Sequence, residues 1–260
     1  MTSLQTIFLG LVEGITEFLP ISSTAHLIIT SKILQLQQTE FLKLFEVFIQ
    51  SGAILSVVFL YFNYLLKNKI VLLKLLVSFI PTALIGFFFF NIIKGFFFDS
   101  LSIIAAALFI VGLLFIFVEN KIKNRSLKLN KNISDISYMQ AFLIGFFQAF
   151  AIVPGVSRAG AVILSMMILG YKRDESATYS FLLAVPTIGA ASLFDLYKSI
   201  STLSTSVTNI QMIVIGFIVS FISAYFSVKW LISYLKKNSL SPFGYYRIAL
   251  AIILVLIFLR

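Results

Sequence analysis

Two apolar stretches, roughly residues 5–34 and 139–170, carry charges and helix breakers at their middles, where a lipid-facing helix holds neither. Leu9 to His26 (LGLVEGITEFLPISSTAH) and Ile144 to Ala161 (IGFFQAFAIVPGVSRAGA) superpose at one constant offset, which matches Gly10 with Gly145, Glu13 with Gln148 and Ser22 with Ser157. Charged side chains at membrane depth cost several kcal/mol and usually face a cavity, so Glu17, Ser23 and His26 in one copy and Ser157 and Arg158 in the other read as two halves of one polar site. Pro20, followed by Ser22 and Ser23, interrupts the first stretch, and Pro154-Gly155 interrupts the second. Proline removes a backbone donor and breaks a helix. Non-helical backbone at depth persists only where protein or water satisfies it, so the two stretches are expected to be re-entrant helix hairpins.

The rest of the chain fits the same solvent. Hydrophobic residues make up 60% and charged residues 12%, against about a quarter charged in soluble domains, and the mean hydropathy is +1.03. The expected fold is all-α and integral to a membrane, one polytopic domain over residues 1–260 with internal repeat halves of about 1–125 and 135–260. At about 20 residues per crossing, six transmembrane helices fall near 41–62, 75–93, 101–118, 176–197, 210–232 and 242–259. Cysteine is absent, which excludes disulfides and thiolate chemistry. Glu13 and Glu17 interrupt the first apolar run and no basic region precedes it, so a cleavable signal peptide is not expected.

If each hairpin returns to the side it entered, twelve basic residues between Lys67 and Lys237 gather on one face, and only Lys32, Lys43, Lys94, Lys198 and Arg260 on the other. The positive-inside rule makes the first face cytoplasmic and puts both termini outside. The hairpins then enter from opposite sides, giving an inverted-topology repeat, an arrangement common in secondary transporters. The net charge of +10 flanks membrane spans, and no nucleic-acid surface is evident.

Glu13 and Glu17 are four residues apart, so both carboxylates project from one helix face. Such a pair can hold a divalent cation, or divide into a metal ligand and a general base. The bland reading has them hydrogen-bonded to a neighbouring broken helix, at the cost of burying two carboxylates. His26 is the only histidine. A lone histidine is more often a satisfied core residue, but its place three residues after Ser23, beside a helix break with Ser22 and Thr24, favours proton transfer. Ser22 fits a helix cap as well as it fits chemistry. In the second stretch Gly155 allows close backbone approach, and the helix starting near Ser157 presents its N-terminus to an anion. Arg158 adds a planar fork suited to phosphate oxygens, and can pair with Glu13 or Glu17 when no anion is bound.

The run Glu13-Gly14-Ile15-Thr16-Glu17-Phe18-Leu19-Pro20-Ile21-Ser22-Ser23-Thr24-Ala25-His26, with Pro154-Gly155-Val156-Ser157-Arg158, closely resembles the undecaprenyl-diphosphate phosphatase family, often called bacitracin-resistance proteins. Residues 45–50 (FEVFIQ) and 180–186 (SFLLAVP) extend the likeness over essentially the whole chain. The resemblance implies a bacterial plasma-membrane enzyme that removes the terminal phosphate of the C55 isoprenoid diphosphate. It would regenerate the lipid carrier for cell-wall synthesis, confer bacitracin resistance, depend on a divalent cation (Mg2+ or Ca2+) and open to the outer face. Carried over by residue, it makes Glu13 and Glu17 the acidic, metal-holding pair, with Glu17, Ser23, His26 and Arg158 catalytic. Ser22, Thr24, Gly155, Ser157 and Arg158 become substrate contacts. Ser23 would attack phosphorus with His26 assisting, or water would attack with Glu17 as base. Ala159 and Val162 stand where the family pattern has serine and threonine, so two hydroxyls are missing. An isoprenoid-phosphate flippase needs the repeat and the anion clamp but not a histidine beside a serine and two carboxylates. An inactive lipid-binding homologue would fit the two lost hydroxyls. Membrane lipids are the expected surroundings, and a homodimer is left open.

Overall fold

The computed structural model describes residues 1–96, 100–199 and 207–258, and among them every regular element is a helix. The order is α1 (Ser3–Thr16), α2 (Ser23–Ile33), α3 (Glu40–Lys67), α4 (Lys69–Phe96), α5 (Leu101–Lys123), α6 (Tyr138–Ala149), α7 (Arg158–Ile168), α8 (Arg173–Ser199), α9 (Val207–Leu235) and α10 (Ser241–Phe258). Short 3-10 turns at Ile133–Asp135 and Phe150–Ile152 precede and follow α6.

Six of these helices, α3, α4, α5, α8, α9 and α10, are long and apolar enough to cross a bilayer. They coincide with the six spans expected from sequence, and several run a few residues further because their lysine- and asparagine-bearing ends stay helical beyond the apolar window. Arg260, assigned above to the outer face, lies outside the described residues. Phe87, which is 71% exposed, is typical of an outer surface where aromatic and aliphatic side chains face outward, as a lipid solvent permits. The molecule is a multi-pass membrane protein.

The two interrupted stretches form the short helices. With 14 residues in α1, 11 in α2, 12 in α6 and 11 in α7, none reaches the roughly 20 residues a single crossing requires. The first break is longer than Pro20 alone dictates, since α1 ends at Thr16 and α2 starts only at Ser23. Matched residues take matched roles. Ser22 and Ser157 cap α2 and α7, and each has a left-handed backbone, with φ of 72° and 73°. A non-glycine residue held there costs on the order of 1–3 kcal/mol and persists only where surrounding structure enforces it.

Packing partners correspond as well. α1 lies against α9, α6 against α4, and α5 pairs with α10. The last contact is backbone to backbone: a Cβ on Gly112 would sit 2.8 Å from the Gly244 oxygen, and one on Gly244 2.8 Å from the Gly112 oxygen. Close approach at small residues is how helices gain contact in lipid, where no hydrophobic driving force separates helix from solvent.

Several basic residues meet at one end of the molecule. The Arg173 guanidinium pairs with Glu119 at the end of α5 (Nη2–Oε2 2.5 Å), and Glu119 Oε1 accepts from the Leu240 amide between α9 and α10. Lys74 donates to the Ser134 carbonyl, Lys131 to the Leu169 carbonyl and Lys172 to Asn132. The connections after α5, α7 and α9 therefore share a face with the start of α4, as the charge count anticipates.

Candidate active site

Both breaks open on one cavity of about 460 Å³. Its polar end is lined by Glu17, Ser22, Ser23 and Thr24 from the first break and by Gly155, Ser157 and Arg158 from the second. The wall from α4 and α8 is mainly apolar, with Phe79, Ala83 and Phe87 of α4 and Ile188, Ala191 and Phe194 of α8 beside Thr82 and Thr187. Each of these two helices contains a proline, Pro81 and Pro186, beside the cavity wall. A chamber with a charged head and an apolar flank suits an amphiphile.

Glu17 links the two halves. Its Oε2 accepts the Ser23 hydroxyl at 2.5 Å, and its Oε1 accepts Arg158 Nη2 at 3.0 Å. Arg158 also donates Nη1 to the Ser180 carbonyl at 2.8 Å, and its guanidinium lies 5.8 Å from the Phe18 ring centre. The carboxylate is thus held by a cation on one side while its other oxygen is aimed at a hydroxyl, the arrangement in which a carboxylate can receive a proton. Ser180 and Phe18 fall within the runs that carry the family resemblance, although sequence gives them no role.

The two capping serines spend their hydroxyls locally: Ser157 Oγ accepts from the Gly160 amide at 3.1 Å, and Ser22 Oγ is 3.5 Å from the Ala25 amide. Capping is therefore what Ser22 does here, while both residues still line the cavity. The unpartnered first-turn amides of α2 and α7 start at these breaks, and helix N-termini attract anions.

His26 is not brought onto Ser23. Its Nδ1 lies 2.7 Å from the Ser22 carbonyl and its Nε2 2.7 Å from the Tyr246 hydroxyl, with the two rings stacked 5.7 Å apart. A carbonyl only accepts, so the neutral ring carries its proton on Nδ1, and Nε2 accepts from Tyr246. Ser23 has Glu17 as its partner instead.

Glu13 lies one turn before Glu17 and is fully buried, yet neither of its carboxylate oxygens has a hydrogen-bond partner. Its counterpart in the repeat, Gln148, is anchored by donating to Thr82 at 2.8 Å and Thr187 at 3.2 Å. An orphaned buried carboxylate calls for a proton or a cation. Among the described residues no group of three or more histidine, aspartate or glutamate side chains is placed to hold a metal by itself. A hard cation at Glu13 and Glu17 would need phosphate oxygens or water to complete its coordination. Ala159 and Val162 are both buried and neither lines the cavity, so the two missing hydroxyls fall on the core side of α7.

Sequence reasoning missed Arg247. It is fully buried in α10 and donates to three backbone carbonyls, those of Pro20 (3.0 Å), Gly155 (2.6 Å) and Val156 (3.0 Å). An arginine inside the apolar run 242–259 was the available signal, hidden by its nearness to the end of a span, where arginines ordinarily snorkel.

A multi-pass helical membrane protein with a carboxylate, a serine and an arginine at the polar end of an amphiphilic chamber is the class that fold and site define. Within that class the chain belongs to the bacitracin resistance protein BacA family, whose model matches residues 6–253. It is similar to the undecaprenyl-diphosphatase of Sulfurihydrogenibium sp. (strain YO3AOP1), 47% identical over 97% of this chain and 98% of the relative. It is 42% identical to the Aquifex aeolicus undecaprenyl-diphosphatase over the full length of both. The Campylobacter hominis undecaprenyl-diphosphatase is 44% identical over 96% of this chain and 97% of its own length.

Proposed function

We propose that the chain hydrolyses undecaprenyl diphosphate to undecaprenyl phosphate and inorganic phosphate, returning the lipid carrier to cell-wall synthesis in a bacterial plasma membrane and conferring bacitracin resistance. The relatives' shared activity over full-length alignments supports this reading. The single observation that carries the mechanism is the continuous link Ser23–Glu17–Arg158 across the two breaks. The terminal phosphate enters the polar end, where the Arg158 fork and the N-terminus of α7 hold its oxygens. Glu17 takes the proton of Ser23 as the serine oxygen bonds to the terminal phosphorus, and the bond to the bridging oxygen breaks to release the lipid monophosphate. Water then cleaves the phosphoserine, and the proton held on Glu17 leaves with phosphate. His26, held by Ser22 and Tyr246, keeps the Ser22 break in shape and is one step removed from the transferred proton. Glu13 and Glu17 are the residues that would hold a divalent cation, which would supply neutralisation of diphosphate charge.

The four short helices are read as two re-entrant hairpins of an inverted repeat. Their lengths, the matched left-handed caps at Ser22 and Ser157, and the parallel pairings of α1 with α9 and α6 with α4 support this. With the basic face cytoplasmic, the chamber opens to the outer leaflet. The test is phosphate release from C55 isoprenoid diphosphate by detergent-purified protein, with acid quench of substrate labelled at the terminal phosphate. Label trapped on Ser23, and an Ser23→Ala variant slower by more than about a thousandfold, are expected. A Ser23→Ala variant within a hundredfold of the parent, with nothing trapped, leaves water as the nucleophile; the loss would then match one positioning contact of about 1–3 kcal/mol.

A further inference from the structure

We infer that Arg247 is a positioning residue for the reaction, a single cation that holds the two broken segments in register while Glu17 and Arg158 exchange partners. The inference rests on the assignment of the chemistry to Glu17, Ser23 and Arg158. Among the described residues, two polar side-chain ties cross between the breaks. One is the Glu17–Arg158 ion pair at 3.0 Å. The other is Arg247, which reaches the Pro20 carbonyl in the first break through Nη1 and the Gly155 and Val156 carbonyls in the second through Nη2.

The first tie cannot survive turnover intact. Arg158 must give donors to phosphate oxygens and Glu17 must accept a proton, and each step weakens the attraction between them. Arg247 touches neither the cavity nor a carboxylate, so its three bonds are untouched by the chemistry. They are also bonds that other side chains supply poorly. Pro20, Gly155 and Val156 lie in the non-helical breaks, where no continuing helix offers their carbonyls an N–H, so each needs another donor. Only the planar guanidinium has donors diverging enough to reach both segments at once. Its lever is short, because Ser22 lies two residues after Pro20, and Ser157 and Arg158 directly follow Val156. A displaced carbonyl would move Ser23 or Arg158 with it, and a shift of about 1 Å in reacting groups can cost on the order of a hundredfold in rate.

Burying a full positive charge without an opposite charge is costly. Simple packing between α10 and the breaks would be met by an apolar side chain of similar volume, so the arginine implies a requirement for its geometry. Arg247→Lys tests this by keeping the charge and losing the fork. The purified variant, with thermal unfolding measured beside the parent, is expected to fold and to show kcat lowered ten- to a hundredfold with KM within threefold. Arg247→Gln, which retains a planar pair of donors without charge, should behave in the same direction. Parental kcat in a folded Arg247→Lys variant overturns the inference, as does a KM raised tenfold at unchanged kcat, which would make Arg247 an attractor of the anion. If neither variant folds, Arg247 serves assembly of the fold alone and the positioning role is rejected. Arg158→Lys, run in the same preparation, examines the underlying assignment separately: parental activity there removes the clamp whatever Arg247 does.

Discussion

Replacing Glu17 with glutamine is the most exacting perturbation of this site, because the amide fits the space of the carboxylate but cannot serve both neighbours alike. Arg158 offers only donors, so the single amide oxygen must turn toward it, at the position where Oε1 now accepts at 3.0 Å. The amide NH2 is then left facing Ser23, whose hydroxyl at 2.5 Å now donates. Two donors cannot share that contact, so the serine hydroxyl rotates and its proton points away from residue 17. A general base of this kind contributes about 10²–10⁴ in rate, or roughly 3–5 kcal/mol of barrier. The effect on stability should be smaller. Breaking a buried ion pair outright costs about 3–5 kcal/mol, but Arg158 keeps the Ser180 carbonyl and an amide oxygen. Its side chain is also 11% exposed to the chamber. A loss on the order of 1–2 kcal/mol remains. Steady-state phosphate release from detergent-purified Glu17→Gln should therefore show kcat down by at least a hundredfold, KM little changed and a lowered but cooperative thermal transition. A folded variant turning over within tenfold of the parent refutes Glu17 as the base, and moves the serine proton to another acceptor.

Three other perturbations examine separate parts of the argument. Glu13→Gln removes the orphaned carboxylate; with a cation bound there, activity falls sharply and chelation abolishes parental turnover reversibly, whereas full activity in chelator excludes the metal. Gly145→Ala places a Cβ against the Ser78 backbone of α4, with the Ser78 Cα 2.9 Å away, so thermal unfolding in detergent should register an overpacking loss of about 1–3 kcal/mol; an unchanged transition would mean that α6 and α4 part without cost. For sidedness, the cysteine-free chain permits single labels: Gln38→Cys should react with an impermeant maleimide on intact cells and Asn124→Cys only after permeabilisation, and the reverse pattern inverts the orientation.

What the sequence discloses and what it conceals divide along a physical line. Periodicity and hydropathy locate the six long helices, because in lipid the backbone must satisfy itself within each segment and length alone selects the spans. The breaks were legible for the same reason, since Pro20 and Pro154-Gly155 have no other tolerable place in apolar runs. Partner choice was not legible. Ser23 stands three residues from His26 and six from Glu17, and nearness in the chain favoured the histidine. The unwound backbone between Thr16 and Ser23 instead returns the serine to the glutamate. Arg247 was hidden in a different way, for its partners are carbonyls, which no sequence pattern marks, on two segments far away in the chain. Repeats explain why such a residue is useful: each hairpin supplies its own helices, cap and break, and the direct polar side-chain tie between the two breaks is the Glu17–Arg158 pair that the chemistry itself disturbs. A tie that persists through turnover must come from outside both hairpins, and α10, paired with α5 through Gly112 and Gly244, is the element positioned to provide it through Arg247.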